Sequence, residues 1–137
     1  MGWKLHHVNI PAINLRETAD FYRHILGMQD RAMPVKREDR GEFAFDSENL
    51  AWFEDGHSQL HVYRPSPTMA RDNNFFINPV VNGHIAIQVD DIDEVKRRLD
   101  AQGTYYADPG HWAMQDYYQI YVHDPAMNVV EINQPMK

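Results

Sequence analysis

Two short segments of this chain each place a histidine at the head of an alternating run, His7-Val8-Asn9-Ile10 and His84-Ile85-Ala86-Ile87. The shift between them (84 − 7 = 77) also carries Asn14 onto Asp91, Leu15 onto Ile92 and Glu17 onto Glu94. Further along, each half holds one more side chain able to bind a metal, His61 in the first and Glu131 in the second. Imidazole nitrogens and a carboxylate oxygen together suit a divalent ion. If the halves pair about a pseudo-twofold axis, His7, His61, His84 and Glu131 can converge on one ion. The chain has no cysteine, so such a site must be built from nitrogen and oxygen.

These residues need strands to aim them and helices to back the strands. Residues 3–10 alternate, with Leu5, His7 and Asn9 on one face and Val8 and Ile10 on the other. Pro11 to Asn14 break the run, and Asn14 with Glu17 reads as a capping box. The spacing of Leu15, Ala19, Tyr22 and Leu26 predicts a helix that Gly27 ends as a left-handed cap. Strands are expected around Met28 to Met33, from Glu42 to Phe53 with a turn near Ser47 to Asn49, and from Ser58 to Arg64. The plan then repeats: a strand from His84 to Val89, a helix opened by Asp91 and Glu94 and closed by Gly103, and strands near Thr104 to Ala107, Tyr117 to His123 and Asn128 to Gln134. One domain of 137 residues is therefore expected, with modules at 1–65 and 83–137 and a linker at 66–82. Phe75-Phe76-Ile77 is too apolar for a pure tether and predicts a hydrophobic clip onto the fold, the alternative being a lid over a ligand cavity.

Composition narrows the function classes. Hydrophobic residues at 43% support a real core, and no apolar run approaches the roughly 20 residues of a membrane span. A net charge of −7 without a basic cluster argues against a nucleic-acid groove, because phosphate binding draws on Lys and Arg. The lack of cysteine, and of a signal-peptide pattern at the N-terminus, leads us to expect a soluble cytoplasmic protein.

Strand parity tests the four candidate ligands. Val8 and Ile10, Ile85 and Ile87, Leu60 and Val62, and Val130 and Ile132 should all face the helices. His7, His84, His61 and Glu131 then share the opposite face by one rule. A lone strand histidine is usually an ordinary hydrogen-bonded residue, and a lone glutamate usually serves an ion pair. Four at repeat-related positions on one face differ, since an unpaired buried carboxylate costs several kcal/mol that a cation removes. By parity or proximity Trp52, Tyr63, Gln88, Gln119 and Tyr121 should also line the cup and meet a substrate, with Trp112 and Tyr117 over its opening. Parity assigns His6 to the helix face, and His24 to an exposed helix side.

The order of a strand histidine, Phe21-Tyr22-Arg23-His24-Ile25-Leu26-Gly27-Met28, Gly83-His84-Ile85-Ala86 and Asp124-Pro125-Ala126-Met127-Asn128-Val129-Val130-Glu131 resembles the vicinal oxygen chelate superfamily. That superfamily includes glyoxalase I, fosfomycin-resistance thiol transferases, methylmalonyl-CoA epimerase, extradiol dioxygenases and metal-free bleomycin-binding proteins. The resemblance implies an α+β fold of two βαβββ modules whose curled mixed sheet forms a half-barrel cup around one divalent ion, commonly in a homodimer. Met127 stands where a Gly is usual.

By analogy with the extradiol enzymes, His7, His84 and Glu131 match the three ligands, His61 the proton-transfer histidine, and Tyr121 the tyrosine ten residues before the ligand Glu. Two histidines and one carboxylate with open positions suit Fe(II). In glyoxalase-like and epimerase-like members the place of His61 is a fourth ligand, and Zn, Ni, Co or Mn would serve. Thiol transferases need a basic pocket, and Lys36, Arg64 and Arg71 are scattered in sequence. The resemblance therefore favours a metal-dependent extradiol-type dioxygenase for a small substrate. A glyoxalase-like lyase or epimerase-like proton-transfer enzyme is the first alternative, and a drug- or metabolite-binding protein the second.

Overall fold

A computed structural model describes residues 1–33 and 46–136. In chain order the elements are β1 (Trp3–Pro11), α1 (Leu15–His24), β2 (Asp30–Arg31), β3 (Leu50–Glu54), β4 (Gln59–Tyr63), α2 (Met69–Asp72), β5 (His84–Val89), α3 (Ile92–Gln102), β6 (Tyr106–Gly110), β7 (Tyr117–His123) and β8 (Val129–Pro135). The expected strand opening at Glu42 begins outside the described residues, and its described part is β3. Three of the four expected caps are in place: Asn14 and Asp91 each accept a hydrogen bond from the backbone N–H three residues on, and Gly103 closes α3 with a left-handed φ of 67°. Helix α1 ends earlier than expected, at His24 with Ile25 as a right-handed cap, and Gly27 takes its left-handed φ of 65° two residues beyond.

The eight strands form one mixed sheet in the order β2-β3-β4-β1-β5-β8-β7-β6. Within each module the first strand pairs parallel with the last, β1 with β4 and β5 with β8, and the modules join through the antiparallel pair β1–β5. The register of that seam carries the symmetry. His7 faces Ala86 and Asn9 faces His84, which are the same pair exchanged by the 77-residue shift, so a local twofold axis passes through Val8 and Ile85. The two repeat-related histidines therefore meet in one chain. Gly83, at φ +89°, makes the close approach possible, because a Cβ there would stand 2.6 Å from the Asn9 carbonyl oxygen.

Each helix covers the back of its own module. Leu15 and Ala19 pack with Phe53 and Val62 behind the first, and Ile92 with Val89 and Ile120 behind the second. A third cluster lies on the cup face, where Tyr63, Met69, Phe75, Ile77, Trp112 and Tyr121 meet. The segment between the modules packs onto this cluster by alternate residues: Phe75 and Ile77 are buried while Phe76 is 88% exposed. Each buried side chain of this size contributes about 2 kcal/mol. Among the described residues no helix is long and apolar enough to cross a membrane.

One departure from simple alternation matters for the site. The β1–β5 register shifts between Leu5 and His7, so His6 is an extra residue in a bulge. Unbroken parity would send His6 to the helix face. The bulge instead leaves His6 and His7 consecutive and both buried.

Candidate metal centre

His7 near the middle of β1, His84 at the head of β5 and Glu131 in β8 bring three ligand atoms together on the cup face, all three side chains buried. His7 Nε2 lies 3.2 Å from His84 Nε2 and 3.4 Å from Glu131 Oε2, and His84 Nε2 lies 3.2 Å from Glu131 Oε2. Ligands about 2.1 Å from one ion at angles near 90–110° are separated by roughly 3.0–3.4 Å, which matches this triangle. The proton inventory leaves room for a cation. His84 Nδ1–H donates to the Pro79 carbonyl at 2.8 Å, so in the neutral ring the Nε2 lone pair faces the carboxylate and His7. Three acceptors thus crowd together with at most the His7 proton between them.

Gln119 and Asn133 hold one oxygen of Glu131, so that the other, Oε2, is the one that faces His7, His84 and Tyr121. Oε1 accepts from Gln119 Nε2 at 3.0 Å and from Asn133 Nδ2 at 2.9 Å. Gln119 is itself fixed, since its Oε1 accepts from the Ala113 N–H at 3.0 Å. Burial alone would raise the Glu131 carboxyl, but His7 and His84 hold it well below the usual carboxylate range. Tyr121 Oη lies 3.5 Å from Glu131 Oε2, and burial together with that carboxylate pushes its phenol well up, keeping it neutral. Burial lowers His7, against the Glu131 carboxylate, which raises it.

His61 is placed differently. Its ring stacks on His7 at 4.0 Å between centroids and on Trp52 at 3.6 Å, and its nitrogens fall outside the group that shares ligand distance. Gln59 Nε2 donates to Glu54 Oε2 at 3.3 Å, which turns Gln59 Oε1 toward His61 Nε2 at 2.9 Å. His61 Nε2–H is therefore the donor, and Nδ1 keeps the lone pair. Complete burial holds this ring well below the ordinary histidine range, hence neutral.

These groups open on a narrow cavity of about 30 Å³. Trp52, Tyr63, Gln119 and Tyr121 line it, with Asn9, Pro79 and Trp112 among the others. Tyr63 Oη accepts from the Gly83 N–H at 2.7 Å, and burial raises its phenol to about 12. Gln88 keeps the expected parity but stands further along β5, in a separate surface groove with Gly2, Trp3 and Lys4. Lys36 lies outside the described residues. Asn9 Oδ1 and Asn133 Oδ1 are buried without a hydrogen-bond partner among the described residues, and Asn9, which lines the cavity, keeps acceptor capacity for a ligand. Sequence reasoning missed three contributors: the Pro79 carbonyl, the Ala113 N–H and His6, whose Nδ1 lies 2.8 Å from His7 Nδ1. Backbone groups leave no mark in residue types, and nothing in the residue types of β1 announces its bulge.

The family model of the Glyoxalase/Bleomycin resistance protein/Dioxygenase superfamily matches residues 4–132. The chain belongs to this superfamily. Solved structures of similar shape agree with the superfamily fold. A hypothetical protein from Bacillus halodurans is 21% identical, covering 100% of this chain and 97% of that one, with a TM-score of 0.65. Methylmalonyl-CoA epimerase from Mycobacterium tuberculosis is 20% identical over 97% of this chain and 88% of its own, with a TM-score of 0.62. A Streptomyces coelicolor methylmalonyl-CoA epimerase in complex with 2-nitronate-propionyl-CoA is 16% identical over 98% of both chains, with a TM-score of 0.63. Among curated proteins no sequence is significantly similar. Within the superfamily cup of this chain, His7, His84 and Glu131 form a possible metal site.

Proposed function

We propose that the chain is a divalent-metal-dependent enzyme of the extradiol-dioxygenase type, acting on a small substrate that chelates through two adjacent oxygens. The observation that carries this reading is the count of converging ligands. Three side chains, two histidines and one carboxylate, share ligand distance, while the fourth candidate is held off by Gln59 and Trp52. A three-ligand set of that composition leaves positions for substrate and suits Fe(II). When bound, the ion would supply Lewis acidity to the chelated oxygens and, as Fe(II), a place for dioxygen.

The residues of the chain divide the remaining work. His61, neutral and with its Nδ1 lone pair unspent, takes a proton from a substrate hydroxyl. Tyr121, neutral and close to Glu131 Oε2, donates a hydrogen bond to a substrate oxygen there. Trp52, Trp112 and Tyr63 give the cavity aromatic walls against which an apolar part of the substrate would pack as the narrow cavity opens to admit it. The test is anaerobic reconstitution with Fe(II), followed by oxygen and a panel of catechols. Oxygen uptake with a ring-opened product is expected.

A second reading, an epimerase-like proton transfer, is favoured by the structural likeness to methylmalonyl-CoA epimerases. Under it His61 exchanges a proton next to a carbonyl, and solvent deuterium enters an acyl-CoA when the protein holds Zn, Ni, Co or Mn. Deuterium exchange without oxygen uptake would replace the first reading by the second. A purified protein that takes up none of these ions would overturn both.

A further inference from the structure

The bulge in β1 gives His6 an assignment that the strand pattern hides. His6 Nδ1 lies 2.8 Å from His7 Nδ1, and His6 Nε2 lies 3.2 Å from Tyr117 Oη. The His6 ring is 6% exposed and stands edge-on to both neighbours, at 72° to His7 and 63° to Tyr117. Two imidazole nitrogens 2.8 Å apart must share one proton, and two arrangements satisfy them. In one, His6 Nδ1–H donates to His7 Nδ1, which obliges a neutral His7 to carry its proton on Nε2 and blocks the ligand position. In the other, His7 Nδ1–H donates to His6 Nδ1, His6 Nε2–H donates to Tyr117 Oη, and His7 Nε2 is free to bind an ion.

We propose that His6 is a positioning residue for the centre: anchored by Tyr117, it accepts the Nδ1–H of His7 and so holds His7 in the tautomer and ring orientation that present Nε2 to a divalent ion. The inference rests on the metal reading above. It assigns to His6 the part that the Pro79 carbonyl plays for His84, and the two differ in kind. A carbonyl can only accept, so His84 has one tautomer for as long as the contact lasts. An imidazole can do either, so His7 is committed only while the bulge and Tyr117 keep the His6 Nδ1 lone pair aimed at it. Without the extra residue, His6 would turn to the helix face and His7 Nδ1 would lose this partner.

Zn(II) titration by calorimetry and histidine 15N chemical shifts, both on the full chain, test this together. In the Zn(II)-loaded wild type the proton should reside on Nδ1 of His7 and on Nε2 of His6. His6→Phe keeps a ring and removes the acceptor, and Zn(II) affinity should fall about 10–100-fold while the His84 15N pattern is unchanged. His6→Gln, whose amide can accept from His7 and donate to Tyr117, should restore most of that loss. Tyr117→Phe, which keeps the half-buried ring and removes only its hydroxyl, should weaken Zn(II) more mildly. Should His6→Phe fail to fold, the wild-type tautomers and Tyr117→Phe still decide. A loaded wild type with the His6 proton on Nδ1, or a folded His6→Phe that binds Zn(II) as tightly, would overturn the inference. A wild type that binds no divalent ion at all would instead overturn the metal reading.

Discussion

The two halves of the cup hold equivalent strands and solve the same problem by different physics. In the first half, His7, His61 and Trp52 form a column of stacked rings, braced at its outer end by Glu54, which accepts from both Gln59 and Trp52. In the second, the corresponding positions are His84, Glu131 and Tyr121, and hydrogen bonds do the fixing through Pro79, Gln119 and Asn133. The cross-strand pairs are matched, Trp52 with His61 and Tyr121 with Glu131. Stacking orients a ring plane and leaves its nitrogens to find partners, whereas a doubly bonded carboxylate oxygen fixes where its other oxygen points. On the proposed reading, that difference explains why the second half would give the centre two ligands and the first one ligand and a base.

The sharpest way to break this comparison is to remove the equivalent residue from each half. Glu131→Ala should abolish stoichiometric metal binding, a larger loss than the 10–100-fold typical of supporting residues. His61→Ala should keep the ion and lower turnover by about 10²–10⁴-fold, as loss of a general base does. Metal analysis of the two purified variants decides it. If His61→Ala also loses the ion, His61 is a fourth ligand and the halves are alike after all.

Next in size is the seam between the halves. Gly83→Ala puts a Cβ 2.6 Å from the Asn9 carbonyl oxygen, in a backbone conformation that side chains rarely adopt. Strain of this kind costs about 1–3 kcal/mol before the clash is added, so a melting temperature lowered by several degrees is expected. Because His84 is the next residue, Zn(II) affinity should fall with it. Unchanged melting and affinity would mean that the seam is more compliant than its geometry indicates.

The halves should also separate by pH in the metal-free protein. His6, held down to about 4 mainly by burial, and His7 and His61, lowered chiefly by the same cause, are neutral when folded, while in the unfolded chain they titrate near 6.5. Below that value the unfolded chain binds more protons, so stability falls as pH drops from about 6.5 toward 4. The slope is at most about 1.4 kcal/mol per pH unit for each group. The contribution of Glu131 has the opposite origin: its folded value is depressed, so it is present above the ordinary carboxyl range and lost only on further acidification. Between pH 6.5 and 4.5 the first half should therefore dominate. His61→Phe should flatten that part of a urea-denaturation series, and an unaltered slope would contradict the assignment.

How much of this was legible in residue types follows from the kind of rule each residue obeys. His7, His84 and Glu131 were readable because β5, β8 and the upper part of β1 keep an unbroken pleat, where alternation alone sets the face. His6 was not, because alternation assumes a register that the bulge breaks. Gln88 shows the complementary limit: parity assigns the face of a strand but not the distance along it, and four residues beyond His84 the cup has already ended. His61 faces the cup as parity requires, yet its share in coordination depends on Gln59 and Glu54, partners that no spacing rule names.

The smallest expected effect lies in the paired turns that close the two halves. Between β3 and β4, Asp55 Oδ1 accepts from the N–H groups of His57 and Ser58, and Gly56 takes φ +89°. Between β7 and β8, Asp124 Oδ1 accepts in the same way from Ala126 and Asn128, but the left-handed position, at φ 66°, is filled by Met127. Met127 is 69% exposed, so its side chain returns little packing for that conformation. A non-glycine residue pays about 1–2 kcal/mol in the left-handed region, and glycine gives back roughly 0.5–1 kcal/mol through the entropy of the unfolded chain. Met127→Gly should therefore stabilise the protein by about 0.5 kcal/mol, a rise of roughly 2 °C in melting temperature. Zn(II) affinity should not change, because Glu131 is fixed by Gln119 and Asn133 and not by the turn. A change in affinity would show that the turn helps to aim the carboxylate, and would give the second half a dependence on local backbone conformation that its hydrogen bonds alone do not require.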